Sequence, residues 1–148
     1  MYSRYVEAFN VSSFSTAAQK DIAIKIVAIT VSELNSKIPW SKVPGLKIRI
    51  TGNSSLVGLA RYKRNDISIS TRSLSRSIHY IRWLVCHEIA HLVVFKQGHK
   101  NEHHGKYFKT VERQFCASFG IRLAWNDSGK RQAYPIAICG PNGHFERR

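Results

Sequence analysis

The sequence predicts an α+β domain: an N-terminal helix, a small antiparallel three-stranded sheet, a long helix carrying an HExxH motif, and a further helix after it. Three observations predict it. Apolar residues recur at helical spacing in three separate stretches, the period falls to two between the first and second, and Gly, Asn and Pro punctuate the joins. With 148 residues, 43% of them hydrophobic, the chain can build one compact core but not two.

The elements follow in order. Residues 1–14 carry no clear period and are left unassigned. From Thr16 to about Lys37, Ile22, Ile26, Ile29 and Ile38, with Val27, Val31 and Leu34 beside them, recur at helical spacing. Thr16 and Gln19 fit a capping box, and Pro39 supplies the stop. Leu46, Ile48 and Ile50 then alternate with Lys47 and Arg49, as Ile67 and Ile69 do with Asp66, Ser68 and Ser70, so both stretches read as strands with one buried face. A further strand is expected over 56–62. Gly52-Asn53 and Arg64-Asn65 supply the connections of an antiparallel meander.

Ser70 or Ser73 can cap the next helix, which runs to Gln97 and stops at Gly98. The polar, Gly-bounded segment GHKNEHHG (98–105) reads as a loop, and Phe108, Val111, Phe115 and Phe119 restore a helical stripe up to Gly120. Beyond Trp125, NDSGKRQ reads as a loop, 134–139 as a final strand and GPNGHFERR as a frayed basic tail. The domain is therefore expected over 15–125, with 126–148 contributing that strand and tail.

Composition narrows the class. The longest apolar segment, 78–95, contains His79, Arg82, His87, Glu88 and His91, polar groups that a membrane span does not bury cheaply. No early stretch has the pattern of a secretory signal, so an intracellular protein is expected, cytoplasmic or associated with a nucleus or nucleoid. Cys86, Cys116 and Cys139 are odd in number and form no CxxC, which points to reduced thiols rather than disulfides or a Cys-based zinc module. Lys plus Arg number 23 against nine acidic residues, a formal net charge of +14. That excess suits a polyanionic partner, nucleic acid above all, bound with little sequence preference.

The chemistry is concentrated in His87-Glu88-Ile89-Ala90-His91. Histidines four apart on a helix project from one face and can share one metal ion. Glu88, one residue on, stands beside that ion rather than on it, where a general base reaches water. Imidazole ligands without thiolate favour zinc, one per chain. Chance alone yields an HExxH in about one per cent of chains of this composition, and in an apolar helix unpartnered His and Glu are costly to bury.

A third ligand is expected downstream, among His99, Glu102, His103 and His104. His104 is preferred because Gly105 lets the backbone turn into the next helix and Phe108 anchors that helix in the core. His99 and His103 read as solvated loop residues, His79 as a core or surface histidine and His144 as a tail residue. Tyr62, Tyr107 and Trp125 can stack on unpaired bases, although core or boundary packing is the commoner role of such aromatics.

HEIAH, followed thirteen residues later by the His of HGKYFK, resembles the SprT-like zinc metallopeptidase domain, whose pattern is HExxH with a later HGxxFK-type element. NDISISTRSL resembles the strand and turn that lead into that family's active-site helix. The resemblance spans 15–125 and is strongest over 65–109. It implies a zincin-like fold, zinc ligands His87, His91 and His104, and Glu88 as the catalytic base. It also implies an association with nucleic acid, since the Spartan branch cleaves protein crosslinked to DNA, a DNA-repair activity. The C-terminal zinc ribbon of many bacterial members is not expected, because Cys139 alone cannot assemble four ligands.

Two functions are therefore carried forward. The first is a zinc metalloendopeptidase acting on protein bound to or crosslinked with nucleic acid, an extended substrate adding to an exposed strand. The second is a nucleic-acid-binding module whose zinc is structural or vestigial, its site closed by a fourth ligand such as His99 or His103. Phosphate contacts are expected from Arg61, Lys63 and Arg64; Arg72 and Arg76; Lys96, Lys100, Lys106 and Lys109; and Lys130, Arg131, Arg147 and Arg148.

Overall fold

The structure is a computed structural model that describes residues 15–52, 56–125 and 135–143 and the backbone of 145–147. Residues 1–14, Asn53, the connection containing Lys130 and Arg131, His144, Arg148 and the side chain of Arg147 lie outside the described residues.

Helix α1 spans Thr16–Lys37, the predicted bounds. Its cap is one residue earlier than expected: the Ser15 hydroxyl accepts the Ala18 N–H at 3.1 Å. The buried stripe is Ala23, Ile26, Val27, Thr30, Val31 and Leu34, while Ile29 faces outward. Thr30 is tolerated inside because its hydroxyl donates to the Ile26 carbonyl at 2.8 Å.

Strands β1 (Lys47–Thr51), β2 (Gly58–Arg61) and β3 (Asp66–Ser70) form one sheet in the order β1-β3-β2. This corrects the expected antiparallel meander. β2 and β3 are an antiparallel hairpin, but β1 runs parallel to β3, with Ile48 opposite Ile67 and Ile50 opposite Ile69. The physical reason is burial. A tight connection with Asn65 at φ +52° forces β2 beside β3, and the longer connection after Gly52 lets β1 lie on the other side. All five residues of β3 are then buried, so the expectation of one exposed face fails for this central strand.

Ser70 caps a 3-10 turn over Thr71–Ser75 rather than the long helix. The long helix α2 begins at Ile78, capped by Ser77, and ends at Lys96. Gly98, at φ +98°, terminates it as expected. α2 buries fifteen of its nineteen residues because it is covered on several sides, packing against α1, β2, β3, α3 (Lys106–Ala117) and β5 (Pro135–Cys139).

A second sheet comprises β4 (Arg122–Trp125), β5 and β6 (Phe145–Arg147), antiparallel throughout. β5 occupies the expected final-strand position. β4 was not expected, and β6 replaces part of the expected frayed tail. Cys86, Cys116 and Cys139 are free thiols, the first two buried. No described helix is long and apolar enough to cross a membrane.

Candidate metal centre

α2 presents His87 and His91 on one face, one turn apart, and the loop from Gly98 to Gly105 returns His104 to that face just before α3 begins. The three Nε2 atoms converge: His91 to His87 is 3.3 Å, His91 to His104 is 3.1 Å, and His104 to His87 is 3.2 Å. Together they form the one group among the described residues able to hold a metal ion.

The donor set fits zinc. Ligands about 2.0–2.1 Å from a tetrahedral centre stand about 3.3–3.4 Å from one another, close to the observed spacings. The tautomers agree as well. His87 Nδ1–H donates to Glu112 Oε2 at 2.5 Å, and a carboxylate can only accept, so the Nε2 of neutral His87 carries a lone pair directed at the other two rings. Burial first, then the neighbouring imidazoles of His87, His104 and His103, lowers the His91 pKa to about 2. His91 is therefore neutral at physiological pH, the form that can bind a cation.

Phe108 is the floor of the site. Fully buried, its ring stacks on His91 at 4.3 Å and meets His87 and His104 edge-on at 5.1 and 5.2 Å. The sequence-based role of Phe108 as an anchor thus extends to contact with all three histidines. Gly105 serves differently from the expectation. Its φ of −74° needs no glycine, but a Cβ there would lie 2.5 Å from Glu102 Oε2. That oxygen accepts the Tyr107 and Phe108 N–H groups at 2.8 and 3.1 Å, so Glu102 caps α3 instead of joining the three histidines.

His99 is exposed and stacks on Tyr107 at 4.2 Å. His103, at φ +53°, lines the cleft without joining the three-histidine group. His79 is buried, within the range foreseen for it. Trp125 is buried and Tyr62 stacks on Phe95 at 4.5 Å, so packing describes both; Tyr107 remains exposed.

The histidines open onto a cleft of about 300 Å³ bounded by Leu56, Gly58, Ala60, Tyr62, Glu88 and His103. Glu88 is buried and points toward β2: a Cβ on Gly58 would lie 2.6 Å from its Oε2. Burial, and then the charge of Glu88, raise the Tyr62 pKa, so the phenol remains a hydrogen-bond donor at neutral pH.

Two participants were missed from the sequence, Glu112 and Trp83. Glu112 is fully buried on α3, and its Oε2 also accepts the Trp83 indole N–H at 2.9 Å. A signal existed, since Glu112 lies four residues after Phe108 and four before Cys116, on the face that α3 buries.

Among known families, the model described as the SprT-like family matches residues 28–128. No curated protein and no solved structure matches the chain.

Proposed function

The chain belongs to the SprT-like family, and on that premise we propose that it is a zinc-dependent metalloendopeptidase acting on protein bound to or crosslinked with nucleic acid. The observation that carries the proposal is the convergence of the His87, His91 and His104 Nε2 atoms at 3.1–3.3 Å in a cleft shared with Glu88.

These three histidines would hold one zinc ion per chain. When bound, zinc supplies Lewis acidity, which makes a water easier to deprotonate and a peptide carbonyl easier to attack. Glu88 takes the proton of the attacking water on a carboxylate oxygen and delivers it to the leaving amine. Tyr62, kept protonated, lines the same cleft as a donor for the carbonyl oxygen. β2 has β3 on one side and no described strand on the other, and Gly58, Leu59 and Ala60 line the cleft. An extended substrate can therefore pair with β2 beside Glu88.

The nucleic-acid part rests on charge. A second cavity, about 500 Å³, is lined by Arg72, Arg76, Thr16, Thr71 and Ser75 among others, and of the exposed lysines 96, 100 and 106, Lys100 lies in the loop that carries His104 and the other two beside it. Such groups suit phosphate oxygens. On this reading the protein acts in the cytoplasm, nucleoid or nucleus, in the repair of DNA–protein crosslinks.

The test is Glu88→Gln, which keeps shape and hydrogen bonding but cannot accept a proton at neutral pH. Zinc content by elemental analysis should stay near one per chain, while cleavage of a DNA-bound protein falls on the order of a hundredfold to ten-thousandfold. Loss of zinc would instead make Glu88 a ligand. A wild type that cleaves nothing in the presence of DNA or RNA would leave the binding module as the function.

A further inference from the structure

Glu112 takes no part in the chemistry just described, yet it is fully buried. Sinking a carboxylate into a protein interior is costly unless hydrogen bonds and opposite charge offset it. Two donors converge on one oxygen, His87 Nδ1–H at 2.5 Å and Trp83 Nε1–H at 2.9 Å. Each is held by further packing. The Trp83 ring is fully buried and tilted against His87 at 5.1 Å, and Phe108 meets His87 edge-on.

Neither donor need carry a full charge, since His87 as the Nδ1–H tautomer is neutral and indole always is. A positive charge near the three Nε2 atoms, on the far side of the His87 ring, would offset that of the carboxylate. A divalent cation there would lie across one imidazole from Glu112.

We propose that Glu112 is a positioning residue for the metal: it fixes His87 as the Nδ1–H tautomer with Nε2 directed at His91 and His104, and its buried charge favours a dication at that point. Trp83 clamps the carboxylate in place. The inference rests on the metal-binding reading of the three histidines.

The test compares wild type with Glu112→Gln, Glu112→Asp and Trp83→Phe. Zinc affinity is measured by competition with a chromophoric chelator, and thermal unfolding is followed with and without zinc. Gln still offers an acceptor but no charge, so its zinc dissociation constant should rise on the order of tenfold to a hundredfold. Its zinc-free melting temperature should hold or rise, because a buried charge is gone, and the increment added by zinc should shrink. Asp keeps the charge and should recover part of the affinity, and Trp83→Phe should weaken zinc binding in the same direction by less.

A merely structural Glu112 gives the opposite pattern. Zinc-free and zinc-loaded forms would then lose stability equally, with the zinc constant unchanged, and the proposal is overturned. If Glu112→Gln does not fold, Glu112→Asp and Trp83→Phe decide alone, and wild-type zinc affinity in both overturns it. A wild type that takes up no zinc overturns this inference and the metal reading together, whereas zinc-loaded wild type with unaffected variants overturns this inference only.

Discussion

At Gly58 the backbone of β2 runs against α2 with no room for a side chain: a Cβ would lie 2.6 Å from Glu88 Oε2 and 2.8 Å from Leu84 Cδ1. Gly58→Ala must therefore displace the Glu88 carboxylate, so peptide cleavage should fall at least tenfold while zinc content stays at one per chain; unchanged cleavage would show that Glu88 has slack. His91 carries a prediction about pH. Its folded pKa, about 2, lies below the value of about 6.5 in an unfolded chain. Unfolding below that value takes up a proton the folded site refuses, so this stability is present above about pH 6.5 and is lost progressively below it. For zinc-free protein in chelator, moving from pH 7.5 to 5.5 should lower the unfolding free energy by about 1.4 kcal/mol for this one proton, measured by urea titration. Equal stability at the two pH values would contradict a neutral, half-buried His91. His87, Glu88 and His91 were legible because a helix turns spacing into direction, whereas His104, in the loop before α3, was picked out by its place before Gly105 and Phe108. Glu112 was not read, because a helical stripe is searched for apolar residues, and a lone acid within one looks like surface.

Between α2 and α3, the loop from Gly98 to Gly105 holds its shape through a cap rather than a core. Glu102 Oε2 accepts two α3 N–H groups, and a Cβ on Gly105 would press into that carboxylate. Glu102→Ala should cost about 0.5–2 kcal/mol, the range for a lost helix cap, measured by thermal unfolding in chelator. It should also weaken zinc binding, because His104 lies between Glu102 and the helix it caps; an unchanged zinc constant would show that α3 packing alone fixes His104. The helices and their order were readable because their stripes are long. The sheet order was not: alternation in 46–50 and 66–70 identifies strands but not their partners, and the parallel pairing of β1 with β3 is a long-range choice set by burying Ile67 and Ile69. β4 and β6, four and three residues long, are too short to show a period and exist by pairing with β5.

Across the whole molecule, the formal net charge of +14 is distributed unequally in its availability. Arg61 is partly spent on Asp66 at 3.7 Å, and Lys109, Arg76 and Lys100 sit over the Trp125, Tyr80 and Phe95 rings at 4.8, 5.0 and 5.7 Å, so at least four cations expected to meet phosphate also have partners in the fold. Lys96, Lys100 and Lys106 are exposed around the metal-site loop, and Arg72 and Arg76 border the separate cavity near the start of α1. Each phosphate a cation neutralises releases counterions, so log affinity should fall linearly with log salt, with a slope of about 0.7 per contact on single strands and about 0.9 on duplex. Reversing Lys96, Lys100 and Lys106 together should lower the slope by about 2–3 if the metal-site rim faces the phosphates, and Arg72→Glu with Arg76→Glu by about 1.4–1.8 if the cavity does. Both variants should retain zinc, which separates a change of surface from a change of site. Binding whose affinity is flat against salt, or no binding of DNA or RNA at low ionic strength, would remove nucleic acid as the partner and leave the surface charge without that role.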